Sequence, residues 1–123
     1  MNVQRWAAAR AEELPGSVLG HPFGPETDVY KVGGKVFMLL ITHQGVPLVN
    51  LKVQPFDGEA LREEFEEITR GYHMNKRHWI SLRAGERLDR DLVEELVTDS
   101  YCLVVAKLPR AQRPVDPKTF GTH

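Results

Sequence analysis

Val29-Tyr30-Lys31-Val32-Gly33-Gly34-Lys35-Val36-Phe37-Met38-Leu39-Leu40-Ile41 is the stretch from which the fold can be read. Two runs rich in β-branched and aromatic residues flank a Gly-Gly pair. Glycine adopts without steric cost the positive φ angles that a two-residue primed turn needs at both central positions. The stretch therefore predicts a β-hairpin of residues 29–32 with 35–41. Gln44-Gly45 predicts the next turn, into a third strand over 48–53. Its alternation sends Val49, Leu51 and Val53 to one face and Leu48, Asn50 and Lys52 to the other.

Outward from this hairpin the periodicity becomes helical. Asn2 is placed to cap a first helix over 2–13, with Val3, Trp6, Ala7 and Leu14 at helical spacing and Pro15-Gly16 as its stop. Downstream, Pro55 ends the third strand and Asp57 is expected to cap a second helix bearing Leu61, Phe65 and Ile68 on one side. A strand is expected over 78–83, with Ala84-Gly85 as a turn after it and a short partner strand around 71–74. Asp89 then caps a last helix whose stripe is Leu92, Val93, Leu96, Val97 and Val104, with Leu88 against Val93 as a hydrophobic staple. Pro109 marks its end. The order α-β-β-β-α-β-β-α implies a two-layer α+β domain, an antiparallel sheet with helices on one face and the other face open. The domain is expected to span residues 1–108, with 109–123 a Pro-containing basic tail, extended or partly disordered.

Composition sets outer limits. With 123 residues, 41% apolar and 27% charged, the chain can build one core without staples. Its longest apolar runs, 36–41 and 103–106, fall far short of the roughly 20 residues of a membrane helix. The N-terminus lacks the apolar core of a secretory signal, so a cytoplasmic location is expected. Cys102 is the single cysteine, which excludes an internal disulfide and reads as a buried thiol. A net charge of −1 gives no global attraction to nucleic acid or acidic membranes, so any such binding must arise from local charge.

No catalytic constellation emerges. There is no G-x-S-x-G elbow. The Gly33-Gly34-Lys35-Val36 stretch fails as a phosphate loop, because Val29 stands at the first Gly position and Val36 at the Ser/Thr position. His73 and His78 lack the cysteines or helical spacing of a zinc site. The carboxylates of the second and third helices read as solvated faces. A non-enzyme without metal or cofactor is expected.

Charge is nonetheless polarised. No acidic residue occurs between Val29 and Phe56, where Lys31, Lys35 and Lys52 lie, nor between Ile68 and Gly85, where Arg70, Lys76, Arg77 and Arg83 lie. The strands are basic and the helices acidic. Lys31, Lys35, Asn50, Lys52, His73, Asn75, Lys76, Arg77, His78 and Trp79 are the candidate contacts: cations and amides for phosphate, one large aromatic for stacking or propping. Set against this, basic strands can simply attract acidic helices, and Trp79 can be ordinary core.

Pro15-Gly16, Pro22-Phe23-Gly24, the hairpin stretch 29–37, Asn50-Leu51-Lys52, the run Gly71-Tyr72-His73-Met74-Asn75-Lys76-Arg77-His78-Trp79-Ile80 and Ser100-Tyr101, in that order, resemble the MmcQ/YjbR family of small bacterial proteins over residues 2–108. The resemblance implies the same α-β-β-β-α-β-β-α fold, similar in outline to type III secretion chaperones. It also implies DNA binding through a double-wing arrangement of strands, the label this uncharacterised family commonly carries. Three readings follow. The first is a nucleic-acid-binding module. The second is a protein-interaction or chaperone-like module using the open sheet face, with Phe37 and Leu39 as anchors. The third is a binder of a small acidic ligand gathered by His73, Asn75, His78 and Lys52.

Overall fold

The computed structural model describes residues 2–121 and runs α1 (Val3–Glu13), β1 (Val18–Gly20), β2 (Asp28–Val32), β3 (Lys35–His43), β4 (Val46–Lys52), α2 (Pro55–Glu64), β5 (Ile68–Arg70), β6 (Trp79–Leu82) and α3 (Arg90–Val105). The strands form one antiparallel sheet in the order β1-β2-β3-β4-β6-β5. Both hairpin turns take the left-handed pair of φ angles, 58° and 79° at Gly33-Gly34 and 51° and 79° at Gln44-Gly45. The helix caps also form. Asn2 accepts from the Arg5 amide and Asp89 from the Leu92 amide.

The main core lies between one sheet face and the pair α1 and α3. It joins Val3, Ala7 and Ala11 of α1 and Val93, Val97 and Tyr101 of α3 to Tyr30, Met38, Leu51 and Ile80 of the sheet. The register steps within the first hairpin, since Tyr30 faces Met38 whereas Lys31 faces Val36. Phe37 is therefore an extra residue in β3. This one-residue bulge turns both Phe37 and Met38 into the helix-side core and sends Val36 to the opposite face. On the β4 side the ladder starts at Met38 and Leu51, and the Phe37 carbonyl just beyond it accepts the Ser100 hydroxyl. That hydroxyl in turn accepts from the Lys52 amide at 2.8 Å, so α3 closes the gap between β3 and β4.

Several elements depart from the sequence expectation. β1 adds an edge strand before the first expected one. Its side chains are mostly exposed, so no alternation of buried residues announces it. α2 starts at Pro55, with Gln54 at its cap and Asp57 inside the first turn, because proline's fixed φ and missing amide suit the first helical position. It ends at Glu64, which leaves Phe65 as its C-cap and Ile68 in β5. The partner of β6 is Ile68–Arg70 rather than 71–74. Nor is the second sheet face open. Val29, Leu39 and Trp79 are buried there beside Val36, Ile41 and Met74. Finally, the tail folds back, with a 3-10 turn at Arg110–Gln112 and Val115 and Phe120 packed on the core. Arg113 donates to the carbonyls of Ala106 and Leu108, groups that the end of α3 leaves unpaired. Among the described residues no helix is long and apolar enough to cross a membrane.

Candidate nucleic-acid interface

The loop between β5 and β6 shapes the site, and the sheet pins it in place. Asn50 and Ser81 face each other across β4 and β6. Ser81 donates to Asn50 Oδ1 at 2.6 Å, Asn50 Nδ2 donates to the Tyr72 carbonyl at 3.0 Å, and the Tyr72 amide donates to Ser81 Oγ at 2.9 Å. The main chain of Tyr72 is thus held by two buried side chains as though by a further strand. The Tyr72 ring lies 4.0 Å from the His43 ring on one side and 4.0 Å from the His73 ring on the other. Gly71 is required where the loop leaves β5, because a Cβ there would lie 2.5 Å from Trp79 Cβ. Lys76 Nζ donates to the Gly71 carbonyl at 2.6 Å, and Asn75 Oδ1 accepts from the Arg77 amide at 2.9 Å, tightening the loop tip.

Where this loop meets the end of β4 and the last turn of α3, a cleft of about 350 Å³ opens, lined by Lys52, Gln54, Asn75, His78, Trp79 and Lys107 with Val53 and Leu103. Its wall carries no carboxylate. Burial, then the positive charges of Lys107 and Lys35, hold the Lys52 ammonium below its ordinary pKa. Among the described residues, the ion pairs are Arg10–Glu13, His21–Asp28 and Arg90–Glu94, and none involves a cation of this cleft. Lys107 and Lys35 therefore both sit close enough to repel Lys52, and no ion pair offsets that repulsion.

The structure divides the sequence-derived set. Lys52, Asn75 and His78 come together in the cleft, with Lys35 near enough to act on Lys52. Lys76 and Arg77 line a neighbouring depression that also holds Glu59 and Glu63, so their charge is partly offset. Lys31 lies one strand further out, between Val18 and Val36, and does not reach the cleft wall. His73 stacks on Tyr72 instead of joining His78. Asn50 is 1% exposed with its amide committed to the loop, so it holds the site together from beneath and offers no surface donor. Trp79 is 9% exposed and packs with Val29 and Leu39; it can prop the cleft, but no base can stack on it. Phe37 and Leu39 are both buried, on opposite sheet faces, so neither serves as an exposed anchor for a protein partner.

Lys107 and Gln54 were not singled out from the sequence. Lys107 lies in the turn just past the end of α3, where its amide donates to the Val104 carbonyl, and reaches the cleft from there. The signal lay in Ser100, a polar residue on a buried helix stripe that ties α3 to Lys52, but its partners are visible only in the fold.

The family model described as YjbR matches residues 12–103. The chain belongs to the YjbR family. Within it, the chain is 47% identical over 108 residues to the uncharacterized protein YbdF of Escherichia coli O157:H7, covering 87% of this chain and 88% of that one. It is 30% identical over 83 residues to the uncharacterized protein YjbR of Escherichia coli K12, covering 68% and 70%. Among solved structures it is similar to a Deinococcus radiodurans protein with a DUF419 domain, at a TM-score of 0.82 and 34% identity over 94% of this chain and 91% of that one. A Pseudomonas syringae protein superposes with a TM-score of 0.73 and 28% identity, covering 85% and 99%. The sequence resemblance and the α+β architecture it implied are thereby borne out.

Proposed function

We propose that this YjbR-family chain is a non-enzymatic nucleic-acid-binding protein that seats backbone phosphates in the cleft lined by Lys52, Lys107, Asn75 and His78, with Lys35 beside it. One observation carries the reading: Lys52 and Lys107 line a concavity with no carboxylate on its wall, and Lys35 beside it adds to the repulsion on Lys52. An arriving phosphate relieves that repulsion and releases counterions from the nucleic acid, which is the main source of affinity in such contacts. Lys76 and Arg77, on the adjoining loop, extend the track. Contacts of this kind position a strand without reading its bases. With three to five phosphates engaged, the logarithmic dependence of affinity on salt has a slope of about −2.7 to −4.5 on duplex DNA. Fluorescence anisotropy of labelled duplex and single-stranded DNA at low and physiological salt tests this. Binding that does not weaken with salt contradicts it.

The concavity of the site favours a second reading, a small acidic ligand. Lys52, Asn75 and His78 meet within about 350 Å³, at the small end of the range of ligand pockets. A mononucleotide or inorganic phosphate that raises the Tm of the free protein, while long DNA binds no more tightly than its monomer unit, selects this reading.

A further inference from the structure

A second and larger concavity, about 860 Å³, lies between α2, α3 and the segment 110–118. α2 leans toward β5, and the gap between it and α3 is bordered by the segment 110–118. The floor is apolar: Leu61 from α2 and Leu92, Leu96 and Leu103 from α3, with Cys102 beside them. The volume falls in the range of small-molecule sites, roughly 300 to 1,000 Å³. Four carboxylates line the concavity: Glu64 at the end of α2 and the three that act on one another, Asp57 in the first turn of α2 and Glu95 and Asp99 one turn apart on α3. Among the described residues none of the three is ion-paired. Burial, then the negative charges of Glu95 and Asp57, push the Asp99 carboxyl up from its usual value. Like charges crowded against an apolar floor lower their energy when a cation sits among them.

The cations lining the same groove, Lys52, Arg110, Arg113 and Lys118, come from the end of β4 and from the tail. Arg113 is already bound to main-chain carbonyls. The groove is therefore bipolar, and it orients a ligand so that its positive end meets the carboxylates. A bare metal ion does not suit it. No metal-holding group of His, Cys, Asp or Glu exists among the described residues, and the leucine floor gives a metal nothing to bind.

We infer that this groove binds a small organic cation, with an ammonium or amidinium group among Asp57, Glu95 and Asp99 and an apolar body laid along Leu61, Leu96 and Leu103. This does not depend on the lysine cleft binding nucleic acid. Because Cys102 is the sole cysteine and lines the groove, its alkylation reports occupancy there and nowhere else.

The test uses the full chain with 2-phenylethylamine, hexylamine and benzamidine as probes, and with 2-phenylethanol and phenylacetate as neutral and anionic counterparts. Thermal unfolding and the rate of Cys102 alkylation by iodoacetamide are followed together. The cations are expected to raise Tm and to slow alkylation on the order of 100-fold at a hundred times their Kd, the counterparts to do neither. The double variant Glu95→Gln, Asp99→Asn is expected to fold with no loss of Tm, since it removes like-charge repulsion, and to lose both responses. Equal effects from all probes, responses that persist in the double variant, or no response to any cation would each overturn the inference.

Discussion

Replacing Ser100 by alanine removes one hydroxyl that serves two main-chain groups. Ser100 Oγ accepts from the Lys52 amide and donates to the Phe37 carbonyl, bridging β4 and β3 just beyond their last ladder pair, Met38 and Leu51. Ser100 and Phe37 are fully buried and Lys52 half-buried. Each buried group left without a partner costs about 1–3 kcal/mol, and water reaches the Lys52 side more readily, so the two together come to about 2–4 kcal/mol. That is a large share of a domain stability of about 5–15 kcal/mol. Urea denaturation measures it: the midpoint is expected to fall with the m-value unchanged, since the extent of the folded surface stays the same. A loss below about 0.5 kcal/mol, the ordinary scatter of surface substitutions, would refute the bridging role.

Asn50→Leu leaves the Tyr72 carbonyl unpaired and the Ser81 hydroxyl without an acceptor, though it still accepts from the Tyr72 amide; the substitution is expected to cost about 2–4 kcal/mol and to raise amide exchange selectively across residues 71–78. Unchanged exchange there would mean that Asn50 does not pin the loop. Lys52→Met keeps the apolar stem and drops a charge whose folded pKa is depressed. Such a base binds fewer protons folded than unfolded, so its charge costs stability at neutral pH. The variant is expected to show a raised urea midpoint together with weakened DNA binding, and a lowered midpoint would contradict the charge crowding. Burial raises the phenols of Tyr30 and Tyr101 from 10.0 to about 12, with Glu12 and Asp28 adding to Tyr30. The stability they contribute is fully present below pH 10.0 and is lost as pH rises through about 12. Phenolate absorbance should show Tyr30 and Tyr101 titrating together with alkaline unfolding rather than near pH 10.0.

Local chemistry made much of the fold legible. Gly33-Gly34 and Gln44-Gly45 announced their turns because few residues take positive φ, and Asn2 and Asp89 announced their helices because a cap needs a short side-chain acceptor. What escaped depends on contacts distant in sequence. The bulge at Phe37 is invisible in a run of six apolar residues, where either register buries something. Asn50 alternates with Leu51 as a surface residue would, yet the loop from 71 to 78 returns to cover it. Trp79 is buried for the same reason. Of the candidate contacts, those at strand and loop ends, Lys52, Asn75 and His78, converge because three elements meet there, and Lys107 joins them from the turn after α3. Sequence proximity grouped Lys76 and Arg77 with them, but side chains on a tight loop tip point to different flanks.

The most direct measurement is the salt dependence of duplex DNA affinity for the wild-type chain and for the Lys35→Ala, Lys52→Ala, Lys107→Ala triple variant. If the three lysines each hold a phosphate, the slope of log K against log salt becomes shallower by about 2.7, at about 0.9 per contact, and affinity at low salt falls. A variant that binds with the wild-type slope, or a wild-type chain that binds no DNA at low salt, would contradict the assignment of the cleft to nucleic acid.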